Sequence, residues 1–179
     1  VCVQATDIGA LMLTIAAPAP GLITNATSVG VTGTVQDETP TTVTVNQTVA
    51  ERTGDNYSAS IELVEGSNTI TVSAVDAAGN RTDSTRAVIR DTHAPALLVN
   101  APADGFATRF DTVFVRGTVT DLHAVTVSAN GVPLPVDANG VFNGSVTLSD
   151  GTNFIAIVAT DAAANMTTIM RTRVRDAVA

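Results

Sequence analysis

A chain of 179 residues with 15% charged and 3% aromatic side chains and a formal charge of −8 has room for one or two small domains, but not for a basic surface. Its nine basic residues are all arginine and lie scattered, so the electrostatic footprint of a nucleic-acid binder is missing. No run approaches the ~18 apolar residues of a membrane-spanning helix, and the single cysteine, Cys2, cannot make an intrachain disulfide.

The first element is V-C-V-Q-A-T-D at residues 1–7, an alternating segment expected as a strand. Leu11 to Ile15 opens the next strand, and Ala19-Pro20-Gly21 turns the chain. Val29, Val31, Gly33 and Val35 then alternate with polar residues, followed by Val43 and Val45, by Tyr57, Ala59, Ile61 and Leu63, and by Ile70, Val72 and Ala74. Ala87 and Ile89 end the series. A period of two places each set on one face of a strand and leaves the intervening Thr, Ser and Arg in water. Glu65-Gly66-Ser67-Asn68 and Ala78-Gly79-Asn80 supply turn chemistry between the runs, since Gly and Asn accept positive φ. No segment keeps a helical period.

The whole pattern then repeats. Pro18 falls on Pro102, Gly21 on Gly105, Val31 on Val115, Gly33 on Gly117, Asp37 on Asp121 and Asn46 on Asn130. After one inserted residue Tyr57 meets Phe142, Glu65-Gly66-Ser67-Asn68 meets Asp150-Gly151-Thr152-Asn153, and Asp76, Asn80, Arg86 and Asp91 meet Asp161, Asn165, Arg171 and Asp176. Agreement of this length is the mark of duplication. About seven short strands per repeat, punctuated by turns, predict an antiparallel sandwich in each, because a single sheet would leave one apolar face wet.

These motifs carry a resemblance. G-T-V-x-D at Gly33 to Asp37 and Gly117 to Asp121, V-x-x-N-G at Val127 to Gly131, and E-G-x-N-x-I-x-V-x-A-x-D-A-A-G-N at Glu65 to Asn80 are similar to the bacterial immunoglobulin-like domains of the Big and glucodextranase domain B type. The resemblance implies an all-β protein of two tandem immunoglobulin-like antiparallel β-sandwiches, residues 11–91 and 96–176, joined by a connector at 92–95, Thr92 to Pro95. It also implies a bacterial protein that is extracellular or at the cell surface. The connector D-T-H-A-P, Asp91 to Pro95, resembles the D-T-T-A-P joint of adhesin repeats, and Pro95 restricts it. Two positions depart from the family pattern: Gln47 stands where the second repeat has the turn glycine Gly131, and Ala164 stands where the first has Gly79. Both put their hairpin turns in doubt.

Residues 1–10 match the penultimate strand of a repeat with the last strand missing. They are expected to be a remnant of a preceding repeat, a hairpin extension of the first domain, or a donor strand that pairs with another chain through Val1, Val3 and Ala5. Head-to-tail use of such an edge would build a filament.

Catalysis needs convergent groups, and the two histidines, His93 and His123, fall at non-equivalent positions of the repeats. No nucleophile elbow, zinc-helix or paired-cysteine motif occurs, so the chain reads as non-enzymatic. Calcium is the metal to consider. It takes about six to eight hard oxygens, and Asp76 with Asn80, repeated as Asp161 with Asn165, sets two oxygen-bearing groups across a turn, while Asp91 lies at the connector. The alternative for these residues is an Asx-type turn. In the similar adhesin repeats calcium stiffens the connectors. Glycan binding is not favoured: Tyr57, Phe142, Phe114 and Phe154 are expected to face the core, leaving only Phe106 and Phe110 free. The expected role is a non-catalytic spacer with protein–protein contacts, including self-association through strand edges. The alternatives are a filament subunit, a calcium-stiffened adhesin segment, or an accessory domain of a carbohydrate-active enzyme.

Overall fold

The computed structural model describes residues 11–37 and 39–177, and the candidate pairing residues Val1, Val3 and Ala5 lie outside them. The chain divides into two compact units, one running to Asp91 and the other beginning at Thr92. Among the described residues every regular element is a strand.

In the first unit, β1 (Met12–Ala17), β3 (Ser28–Gln36), β7 (Asn56–Glu62) and β6 (Glu51–Thr53) form one sheet in that order. The other sheet runs β2 (Leu22–Thr24), β9 (Arg81–Arg90), β8 (Gly66–Asp76), β4 (Thr41–Val45) and β5 (Thr48–Val49). The second unit repeats the plan. Its smaller sheet is β10 (Ala96–Ala101), β12 (Thr112–Thr120) and β15 (Val141–Thr147). Its larger sheet is β11 (Phe106–Thr108), β17 (Met166–Arg175), β16 (Gly151–Thr160), β13 (Thr126–Ala129) and β14 (Val132–Leu134). The sandwiches are antiparallel except at one margin of each, where β2 and β11 run parallel to β9 and β17.

Each unit encloses its own core. Val31, Val35, Val43, Val45, Tyr57, Ile70 and Val72 are buried in the first, and Val115, Val119, Val127, Phe142, Ile155 and Ile157 in the second. Gly33 and Gly117 have no room for a side chain: a Cβ at Gly117 would collide with the Leu98 carbonyl and lie 2.6 Å from Cζ of Phe142. The aromatic ring of each unit therefore needs that glycine beneath it. Tyr57 donates its hydroxyl hydrogen to the Thr14 carbonyl at 2.7 Å, tying β7 to β1. Phe142 fills the same place in the second unit without a hydroxyl.

The last strand departs from the expected parity. Val88, not Ala87 or Ile89, is the buried residue of β9, so the strand turns Thr82, Ser84 and Arg86 inward. Arg86 closes the side of the sandwich by donating to the Ile15 carbonyl at 2.8 Å, and Arg171 does the same toward Val99 and Pro102. A guanidinium can cap carbonyls at a margin where an apolar side chain would leave them unsatisfied.

Both doubtful turns form. Gln47 and Ala164 adopt φ of 71° and 68°, the left-handed region that Gly131 and Gly79 occupy at φ of 80° and 93° in the other repeat. The flanking ladders, β4 with β5 and β16 with β17, impose the turn on an unfavourable residue.

Candidate functional sites

The recurring polar residues hold the strand connections. At the end of β8, the Asp76 carboxylate accepts the Asn80 backbone N–H at 2.8 Å and the Asn80 Nδ2–H at 2.6 Å, one on each oxygen. Asp161 accepts the same pair from Asn165, at 2.8 and 2.9 Å. Both aspartates are buried, and their backbone N–H groups donate back to Asn80 and Asn165. The sequence places these residues together because the hairpin between the last two strands needs a side chain that can close the turn from within. The structure brings each Asp–Asn pair together as a turn lock. Each carboxylate oxygen accepts one N–H donor, so the pair closes its turn as an Asx-type lock.

Asp91 ends β9, buried, its N–H donating to the Thr24 carbonyl at 2.9 Å; its repeat, Asp176, donates to Thr108 in the same way. Asp104 accepts the Thr172 N–H at 2.6 Å on the edge of β17, just ahead of its pairing with β11. In the connector, the Pro95 carbonyl accepts from the Thr167 hydroxyl at 2.6 Å and the His93 carbonyl from Asn165 at 3.2 Å, both within the second unit.

Two further locks were not legible as such. Asn68 bridges its tight turn by accepting the Val64 N–H at 2.9 Å and donating to the Val64 carbonyl, and Asn153 does so with Ser149. Asn46 and Asn130 accept N–H bonds from Thr71 and Ala156, both at 2.8 Å, across to the neighbouring strand. The signal for both is the repetition of Asn at equivalent places of the two repeats.

An open recess of about 510 Å³ lies at one end of the second unit, among Asp121, His123, Val136, Asp137 and Gly140. In the first unit Arg52 pairs with Tyr57 and donates to the carbonyls of Thr41 and Gly54; in the second, Val136 bridges Phe142 at that place. Asp121 accepts the His123 backbone N–H at 2.8 Å and Asp137 accepts those of Asn139 and Val141, so these carboxylates also serve turns.

The aromatic expectation needs correction. Phe142 is buried, but Phe114 and Phe154 are exposed by 77% and 66%, together with Phe106 and Phe110. Phe114 lies between the buried Val113 and Val115, and Phe154 precedes the buried Ile155, so strand parity turns both outward. Arg109 lies over Phe110 and Arg173 over Phe106, with 5.5 and 5.9 Å to the ring centroids.

Two sandwiches of this topology, each closed on its own core and its own turn locks, define the chain as a tandem pair of immunoglobulin-like modules. Solved structures share that fold. Fibronectin(III)-like modules of CbhA from Clostridium thermocellum align over 93% of this chain and 95% of theirs, with a TM-score of 0.62 and 20% identity. The titin I67–I69 fragment in its E-to-A mutated variant aligns over 92% of this chain and 64% of that one, with a TM-score of 0.55 and 8% identity. The chain belongs to the glucodextranase domain B family, whose model matches it twice, at residues 12–92 and 95–176. Bacillopeptidase F of Bacillus subtilis (strain 168) is 31% identical over 167 residues, 90% of this chain, and the chain spans 12% of that protein.

Proposed function

We propose that this chain is a non-catalytic spacer module of a larger extracellular bacterial protein, each sandwich acting as one mechanical unit between neighbouring segments. The observation that carries the reading is the use of the recurring polar side chains: Asn46, Asn68, Asp76, Asn80 and Arg86, and their repeats, bond within their own unit and hold its turns and margin. Duplication has preserved what maintains the sandwich. The match to a small share of a much longer peptidase supports a module within a larger chain. The name of the family, a domain of a glucodextranase, favours a second reading in which the module accompanies a catalytic domain.

Stretching single molecules between their ends tests the proposal. Two discrete unfolding steps are expected, each releasing about 290 Å of contour for about 85 residues at ~3.4 Å each. Extension without discrete steps overturns it. Glycan or peptide turnover by the isolated chain would overturn the non-catalytic part.

A further inference from the structure

The outward faces of the larger sheets differ between the repeats. On β16 and β17 the outward side chains are Thr152, Phe154, Ala156, Val158 and Thr160, and Met166, Thr168, Met170, Thr172 and Val174. Phe154, Met166 and Met170 are exposed by 66%, 59% and 51%. The register sets Phe154 opposite Thr172 and Ala156 opposite Met170, so Phe154, Met170 and Val174 are diagonal neighbours within side-chain reach. The adjacent β13 adds Thr126 and Ser128, and no outward position on the three strands is charged.

The first unit has the same ladder with other chemistry. Thr69 stands where Phe154 does, Thr71 for Ala156, Ser73 for Val158, Thr85 for Met170, and the ion pair Arg81–Asp83 for Met166 and Thr168. One repeat shows that this face, which also carries Val75, Ala87 and Ile89, folds with Thr and an ion pair in place of Phe154, Met170 and Met166. The apolar side chains of the second are therefore not required by the sandwich.

We propose that the outward face of β13, β16 and β17 is the contact surface of a homodimer, two copies of the second unit packing face to face about a two-fold axis. Three features select a second copy as the occupant. A face without charge meets its own image with no like charges opposed and no charge desolvated. Residues 1–91 hold ten acidic residues and four arginines, and residues 92–179 seven and five, so the second unit carries −2 against −6 and meets less repulsion on self-approach. The two ten-residue strands β16 and β17, about 33 Å long, with the four residues of β13 beside them, present about 380 Å² per copy, or about 760 Å² for the pair, the size of a weak, transient contact. Sheets stacked in this way pack ~10 Å apart, with Phe154 and Met170 interdigitating. Association is weak and concentration-dependent.

Sedimentation equilibrium of the full chain from about 1 to about 500 µM tests this. The mass is expected to rise from one chain to two and to do so equally well in high salt. The double variant Phe154→Thr/Met170→Thr, which installs the residues of the first repeat at exposed positions, is expected to weaken association at least tenfold while its melting temperature stays within a few degrees of the parent. The control Leu98→Thr/Phe114→Thr, on the outward face of the other sheet, is expected to associate as the parent does. A single-chain mass throughout, a mass that climbs past two chains, undiminished association of the first variant, or loss of association in the control would each overturn the proposal.

Discussion

The cores of the two units are nearly interchangeable, and their outward faces are not. Ile70, Val72 and Ala74 of β8 correspond to Ile155, Ile157 and Ala159 of β16, all fully buried, while the alternate positions between them change from Thr and Ser to Phe, Ala and Val. Close packing restricts what a buried position accepts, whereas an outward position in water accepts almost anything. Agreement between the repeats therefore reports the fold. Disagreement at outward positions reports what one unit does and the other does not.

That comparison can be broken most severely at the shared glycine. Gly117→Ala drives a methyl group into the Leu98 carbonyl and the Phe142 ring, and is expected to destabilise the second unit by about 3 kcal/mol or more, lowering its melting temperature by about 10 °C or more in calorimetry. Gly33→Ala should do the same to the first unit, against Thr14 and Tyr57.

The turns come next. Gln47→Gly and Ala164→Gly relieve left-handed strain and should each stabilise by about 1 kcal/mol in urea unfolding, while Gly79→Ala and Gly131→Ala should lose a similar amount.

A polar difference inside the cores gives a smaller effect with a pH signature. Tyr57→Phe makes the first unit resemble the second and should cost about 0.5–1 kcal/mol near neutral pH through loss of the bond to Thr14. Burial holds the Tyr57 hydroxyl above the usual tyrosine range, with the Arg86 charge offsetting part of the rise. The folded state thus binds this proton more tightly than the unfolded chain. Its contribution is full below pH ~10 and is lost as pH rises through the folded value. With no lysine and one tyrosine in the chain, alkaline titration of stability should flatten above pH ~10 in the variant, and tyrosinate absorbance of the parent should appear at higher pH folded than unfolded.

The smallest effect separates a turn lock from a metal site. For a pair that serves only as a turn lock, millimolar calcium or a chelator leaves the melting temperature within about 1 °C, whereas a bound ion would raise it through linkage. Asp161→Ala, by contrast, should lower it in either condition, since the Asn165 donors lose their acceptor.

Much of this was legible in the chain. The period of two located the strands, and the repeated Asp–Asn and Gly–Asn motifs located the turns, because their residue types have few other uses at such spacings. The differences have one cause. Hydrophobicity places Phe114, Phe154, Ala87 and Ile89 inward, yet their neighbours Val113, Val115, Ile155 and Val88 hold the core positions. Where apolar residues are consecutive, alternation no longer says which of two neighbours faces in.

By itself, the sequence determined the duplication, the all-β class and the placement of the turns, because these follow from local periodicity and from residues with narrow backbone preferences. Only the tertiary structure decided the parity of β9, the closing of the margins by Arg86 and Arg171, and the apolar outer face of the second unit. Those depend on which side of each strand meets the opposite sheet, a property of the assembled sandwich and not of any single segment.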